Sequence, residues 1–273
     1  MTATTLTAPA PRALPGRAGL RVAELGDRAR LCGMYDTAGA PVYDDLAAAD
    51  GFEVREILAA VRSADGAVLD LAAGSGRFTL PLLAIGREVT ALDLSTDMLA
   101  LLDARLAAAP RRLRERATVV HADMSAFDLG RTYGHIVLGT TSLSLLDAAQ
   151  RAGLYRAVAA HLAPGGQFLV SVMERGDAGG PTEVSARVTG ASGTTYDMYE
   201  YWPEGAAHRN VTIVPAAPGA GPVTVCVDAV STMSAAVTEA ELAAAGLTVT
   251  GRRELTGPGE RHRVALLKAQ ATP

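Results

Sequence analysis

Within seven residues, from Asp70 to Gly76, the chain places an acidic side chain and then Gly74, Ser75 and Gly76. Glycines at 74 and 76 let backbone approach a ligand with no Cβ in the way. A helix starting near Arg77 would aim its N-terminal amides, equivalent to about half a positive charge, at the same spot. Asp70 supplies the opposite sign. An amino acid, carrying a carboxylate and an ammonium together, suits that pair of charges better than a pyrophosphate does. Asp93 ends a second apolar run, where a carboxylate can accept from both hydroxyls of a ribose, roughly 20 positions past a first glycine-rich turn. Asp123 ends a third run, placed to accept from the exocyclic amine of an adenine, with Met124 on the ring face. Ala72 and Ser75 in the first turn, and Leu94 and Met98 after the second strand, complete the predicted lining. Thr140 and Thr141 follow a fourth strand, near the expected reacting atom. The competing reading is a dinucleotide-binding turn, Gly-x-Gly-x-x-Gly, but its third glycine is here Thr79.

These residues need strands that end together. Ala67–Ala72 reads as a short buried strand, and Glu88–Asp93, Ala117–Asp123, Tyr133–Gly139 and Gln167–Met173 as four more strands. Helices alternate with them: Phe78–Ile85, a helix capped by Ser95, and Asp147–His161, which runs to Pro164-Gly165-Gly166. The alternation predicts an α/β fold with a parallel sheet covered on both faces. Residues 1–20, rich in Thr, Ala and Pro at the start, read as a disordered tail. Residues 21–66 read as an N-terminal helical cap, broken at Ala38–Pro41, with one helix from about Ala47 to Arg62. The sheet core spans 67–175. In 176–235 four strands between Gly/Pro-rich breaks predict an antiparallel β insertion. Residues 236–273 read as a helix, Thr238–Ala245, then a strand hairpin turning at Thr256–Gly259. The cap and the insertion are the parts free to cover the strand ends.

Composition narrows the partners. A net charge of -4 argues against a nucleic-acid surface. No run reaches the ~20 apolar residues of a membrane span, and the first residues lack a signal-peptide core. Two cysteines, Cys32 and Cys226, make neither a disulfide framework nor a metal spacing, which suits a cytoplasmic protein without a metal. Nothing in the sequence specifies an oligomeric state.

The segment Val68-Leu69-Asp70-Leu71-Ala72-Ala73-Gly74-Ser75-Gly76-Arg77-Phe78 resembles the first motif of class I S-adenosylmethionine (SAM)-dependent methyltransferases. Val89-Thr90-Ala91-Leu92-Asp93-Leu94-Ser95 resembles their second-strand motif, and Leu162–Gly166 the turn before strand five. The resemblance implies SAM as methyl donor, with S-adenosyl-L-homocysteine as product. It also implies a Rossmann-like, seven-stranded, mostly parallel sheet whose last strand runs antiparallel. Gly139-Thr140-Thr141-Ser142 departs from the Asn/Asp-Pro-Pro-aromatic motif of enzymes that methylate base amines or glutamine amide. A narrower resemblance rests on Tyr35-Asp36, Tyr43–Leu46, Ala73–Leu82 and Leu138–Ser142. These are similar to methyltransferases of actinobacterial ribosomal-peptide clusters, the daptide pathways among them. That implies a terminal peptide amine as acceptor.

The acceptor side carries weaker signals. Three of seven tyrosines and the sole tryptophan fall within Tyr196–Trp202. In an extended strand Tyr199 and Tyr201 share one face, Tyr196 and Trp202 the other. Such rings can hold an amine or its methylated cation, or simply pack. Tyr35 and Tyr43 are expected to close over the cofactor. Among the histidines His208 is the base candidate, with Glu200 and Asp197 in the neighbouring strand, and Tyr196 and Tyr199 completing the predicted catalytic set. An α-amine, with a pKa of ~7.7–8.0, needs less help than a phenol at ~10, so the lack of a base motif leans toward an amine. Three functions fit: an amine N-methyltransferase acting on a peptide, an O- or N-methyltransferase of a small metabolite, and a SAM-binding protein without catalysis.

Overall fold

The computed structural model describes residues 14–49, 51–139, 142–176, 181–256 and 261–272. The chain opens with α1 (Gly16–Leu25), β1 (Ala29–Cys32), α2 (Ala40–Ala49) and α3 (Val54–Arg62). It continues through β2 (Val68–Leu71), α4 (Thr79–Ala84), β3 (Val89–Asp93), α5 (Thr96–Ala108), α6 (Arg111–Arg114) and β4 (Ala117–His121). Then come β5 (Tyr133–Leu138), α7 (Ala148–His161), β6 (Leu162–Arg175), β7 (Glu183–Thr189), β8 (Thr195–Tyr201) and β9 (His208–Pro215). The last elements are β10 (Val223–Ser231), α8 (Ala235–Ala244), β11 (Leu247–Glu254) and β12 (His262–Ala271). They form two compact units: residues 51–180 with 231–273, and residues 1–50 with 181–230.

The larger unit is a seven-stranded sheet in the order β11-β12-β6-β5-β2-β3-β4. Strands β2 to β6 pair in parallel, and β12 runs antiparallel to both β6 and β11. Alternation along each strand feeds two cores. Leu69, Leu71, Ile136, Leu138, Phe168 and Val170 face α7 and α8. Val68, Val89, Ala91, Val137 and Leu169 face α3, α4 and α5. The chain leaves β2 toward β3 on one side, whereas β5, on the other side of β2, leads away to β6. Strand order therefore reverses between β2 and β5, and crevices for ligands open at the carboxyl ends of strands at such a point.

Capping shows why the helices start where they do. The Ser95 hydroxyl accepts from the Met98 amide at the head of α5, at 3.2 Å. Asp147 and Gln150 form a reciprocal capping box on α7. Ser234 caps α8, which begins earlier than the apolar pattern predicts.

The smaller unit is a five-stranded sheet, β1-β10-β9-β8-β7. Three expectations change here. The span read as a disordered tail, 1–20, already contains the start of α1, which packs Ala18 and Leu25 inward. The span read as a helical cap, 21–66, contains β1, paired in parallel with β10 from Ala29↔Val223 to Cys32↔Cys226. The helix predicted over 47–62 is two helices, because Glu53 takes a left-handed φ of 65° between them. The N-terminal segment up to Asp50 and the insertion thus make one discontinuous unit. Asp45 ties α2 to the β7–β8 turn, accepting from the Ser192 amide at 2.6 Å and from the Tyr196 hydroxyl at 3.0 Å.

In the larger unit α7 and α8 are clasped by a fork of charge. Arg151 donates to both Glu241 oxygens, at 2.8 and 2.7 Å, and the Tyr155 hydroxyl adds a third bond at 3.2 Å. Arg151 holds the Glu241 carboxyl below its usual range. A carboxylate depressed on folding stabilises above its unfolded pKa, ~4.3 for Glu, and loses that contribution as pH falls through the folded value. Arg151→Met is therefore expected to destabilise the protein at pH 7 by on the order of 1 kcal/mol. In urea unfolding, the gap from wild type should close below about pH 4.

Candidate active site

Asp70 is the most constrained side chain at the strand ends. It is fully buried. The Thr79 hydroxyl donates to its Oδ2 at 2.6 Å, while its buried Oδ1 has no hydrogen-bond partner among the described residues. Burial pushes this carboxyl up to about 7, against the Thr79 bond and with the charge of Asp93 adding to the rise. Thr79 stands where a dinucleotide turn has its third glycine, so the same substitution that excludes that fingerprint supplies the carboxylate's partner.

The turn after Asp70 is wound left-handed at three places: Ala72 at φ 51°, Gly74 at 54° and Gly76 at 97°. Glycine adopts this without penalty, whereas at Ala72 the geometry stores strain, a common mark of working sites. The second strand end holds the turn in place. Asp93 Oδ2 accepts from the Gly74 amide at 2.7 Å, and Oδ1 from the Ser95 amide at 2.8 Å. Two carboxylate oxygens offer about four acceptor positions, so lone pairs remain for further donors. Burial nevertheless raises the Asp93 pKa. Met98 is a buttress in the first turn of α5, its Cε 3.1 Å from where a Cβ on Gly74 would stand. Ser75 is buried, and its carbonyl accepts from Arg105 at 2.8 Å.

Beyond Asp93, Leu94 is 44% exposed, a large apolar side chain facing outward at the strand ends. Asp123 folds back on its own loop, with Oδ1 accepting from the Ser125 amide at 2.8 Å and hydroxyl at 2.7 Å. Met124 is buried in the core shared with Leu71 and Leu92, and packing accounts for it without a ligand. Thr140 and Thr141 lie outside the described residues.

A family model for a methyltransferase domain matches residues 68–166. The glycopeptide N-methyltransferase MtfA, solved with SAM, is 34% identical over 97% of this chain and 100% of its own, with a TM-score of 0.69. The chain belongs to the SAM-dependent methyltransferases. SAM is the cofactor of this methyltransferase, as MtfA crystallised with S-adenosyl-L-homocysteine also supports. Its fold is the Rossmann-like one of the class. The CcbJ methyltransferase from Streptomyces caelestis shares the fold at 22% identity, covering 88% of this chain and 99% of its own, with a TM-score of 0.73. DesVI of Streptomyces venezuelae is 26% identical over 85% of this chain and 99% of its own, with a TM-score of 0.65. No match was found among curated proteins.

The predicted catalytic set of the methyltransferase does not come together. Tyr196 is buried in the smaller unit with Met34, Val211 and Ile213. Its hydroxyl donates to Asp45, and burial, followed by that bond, pushes its pKa up to about 12. Glu200 is buried and paired with Arg209 at 2.6 Å. Tyr199 lies on the opposite face, against Val22, Leu25 and Val214. His208 is exposed at the start of β9. Tyr196 and Tyr199 fall in different clusters, as strand alternation predicts, and each ring packs into a small core. Asp197 pairs with Arg187 at 2.9 Å. Tyr35 and Tyr43 meet edge to face, ring centres 4.9 Å apart, beside the same core as Tyr196. Packing within the smaller unit accounts for both.

Two side chains at the strand ends had no sequence signal. Arg77 donates to the Phe52 carbonyl at 2.6 Å and lies over the Phe78 ring, 5.5 Å from its centre. Glu53, next in the chain after Phe52, is 2% exposed.

Asp70 makes a clear demand on stability. Its pKa is raised on folding from an unfolded value of ~3.9, so the folded state holds a proton that the unfolded chain gives up. Stability of the ligand-free protein should therefore fall as pH rises from about 4 to 7, then level off. Asp70→Asn, which keeps an acceptor for Thr79, is expected to flatten that slope to the part that Asp93 contributes. Its melting temperature should match wild type near pH 4 and exceed it at pH 8, as scanning calorimetry can check.

Proposed function

We propose that this methyltransferase transfers one or two methyl groups to an amine of a peptide. The specific acceptor proposed is the terminal amine of a ribosomally made, modified peptide. The carrying observation is the likeness to a glycopeptide N-methyltransferase, 34% identical along 97% of this chain. The motif resemblance to ribosomal-peptide methyltransferases points to the same kind of acceptor.

The strand ends are suited to the cofactor. Asp70 Oδ1, buried without a partner, would take the ammonium of the cofactor's amino acid part. The Ser75 amide, between a Gly74 amide bonded to Asp93 and a Gly76 amide bonded to the Ala73 carbonyl, would take its carboxylate, and Asp93 the ribose hydroxyls. Leu94 would cover one face of the adenine, with Asp123 accepting from its amine. The bound cofactor supplies a methyl carbon attached to positively charged sulfur. The chain's own contribution is placement and charge. Alignment of reacting atoms alone can contribute ~7–11 kcal/mol. An α-amine, with a pKa of ~7.7–8.0, is partly neutral at pH 7.5 and needs only modest help to present its lone pair.

Mass spectrometry with methyl-labelled SAM tests this reading. The probes are a synthetic peptide with a free terminal amine and the same peptide acetylated there. Gains of one or two methyl masses on the free peptide alone are expected. Equal labelling of both peptides, or labelling of a phenol in place of either, would contradict it.

A further inference from the structure

Among the described residues only Ala72 and Glu53 take a positive φ without being glycine. Ala72 belongs to the cofactor turn. Glu53 does not, and its conformation has no local excuse. It stands at the N-terminus of α3, yet its side chain makes no capping bond to that helix. An acidic residue there would ordinarily be explained by the helix dipole, with its carboxylate in water. This one is 2% exposed.

The surroundings show where it has been taken. Glu53 Oε2 lies 3.2 Å from the point where a Cβ on Gly139 would stand. Gly139 directly follows β5, and the same added Cβ would overlap the Phe78 ring. On the other side, Arg77 of the glycine turn grips the carbonyl of Phe52 at 2.6 Å. The loop before α3 is thus tied by Arg77 to the turn that follows β2 and lies close to the residue that follows β5, the two strands that flank the reversal of strand order. A buried carboxylate on strained backbone is held at the place where ligands of an open parallel sheet bind.

We propose that Glu53 is a catalytic residue which binds the acceptor amine and takes its proton. This rests on the amine-acceptor reading above. Asp70 is engaged with Thr79 and assigned to the cofactor, so the acceptor's positive charge needs a carboxylate of its own. The step is a proton transfer: R–NH3+ and the Glu53 carboxylate become R–NH2 and the Glu53 carboxylic acid. The nitrogen lone pair is then free to attack the methyl carbon. Burial near the Phe78 ring suits the exchange, because a desolvated carboxylate is a stronger base.

The test uses the full chain, SAM and a synthetic peptide with a free terminal amine. Glu53→Gln is expected to lower kcat/KM for the peptide by about 10²-fold or more at pH 7. SAM affinity by titration should change less than about twofold, and the rate deficit should narrow toward pH 9, where the amine loses its proton unaided. Glu53→Asp should recover part of the rate. Glu53→Gly separates chemistry from folding: glycine favours this φ, so the variant should melt at or above wild type yet be as slow as the Gln variant. Wild-type rates in the Gln or Gly variant, or an equal loss at pH 7 and pH 9, would overturn the role of Glu53 alone. A wild-type enzyme inert on the amine but active on a phenol would overturn the amine reading, and the assignment of Glu53 with it.

Discussion

A buried carboxylate with one oxygen answered and one not is the constraint around which the larger unit is arranged. Taking Asp70 out of water is costly unless its charge is met. Thr79 meets half of it, and the protein holds the remainder in reserve by keeping the group near the edge of protonation, at about 7. Everything adjacent makes that reserve usable. The left-handed turn from Ala72 to Gly76 lies directly after it, and Asp93 pins the turn through the Gly74 amide. In the proposed binding mode a ligand carrying both signs of charge completes the site. The disposition also explains why a fold that uses a stable sheet would carry a destabilising residue in its centre.

The sheet beneath was legible because its central strands are buried on both sides. Val68–Leu71, apolar except for Asp70, and Ile136–Leu138 are short buried runs with turn residues after them, the pattern of central parallel strands in alternation with helices. The glycine turn was legible because its chemistry is local: two glycines, a preceding acid and a following helix stand within a few residues. Ser95 and Asp147 as caps are local signals of the same kind.

What remained hidden depended on distance. Ala29–Cys32 is four residues long, with Arg30 inside it, and becomes a strand only by pairing with β10, which starts at Val223. No local period predicts a partner so remote. The tyrosines of β8 misled for another reason. Aromatics that pack and aromatics that bind obey the same strand alternation, so only burial distinguishes them, and Tyr196 and Tyr199 are committed to separate cores. Glu53 was hidden because an acid ahead of an amphipathic helix has an ordinary explanation. Its left-handed φ and its burial, neither visible in a one-letter code, remove that explanation.

We propose that the cofactor's ammonium answers the free oxygen of Asp70. Calorimetric titration of SAM in two buffers of different ionisation enthalpy measures this directly. An ammonium placed against Asp70 must drive its pKa down, so binding near pH 6.5 is predicted to release a substantial fraction of one proton in wild type and none in Asp70→Asn. Binding with no proton release from wild type at that pH would show that the ammonium does not sit against Asp70.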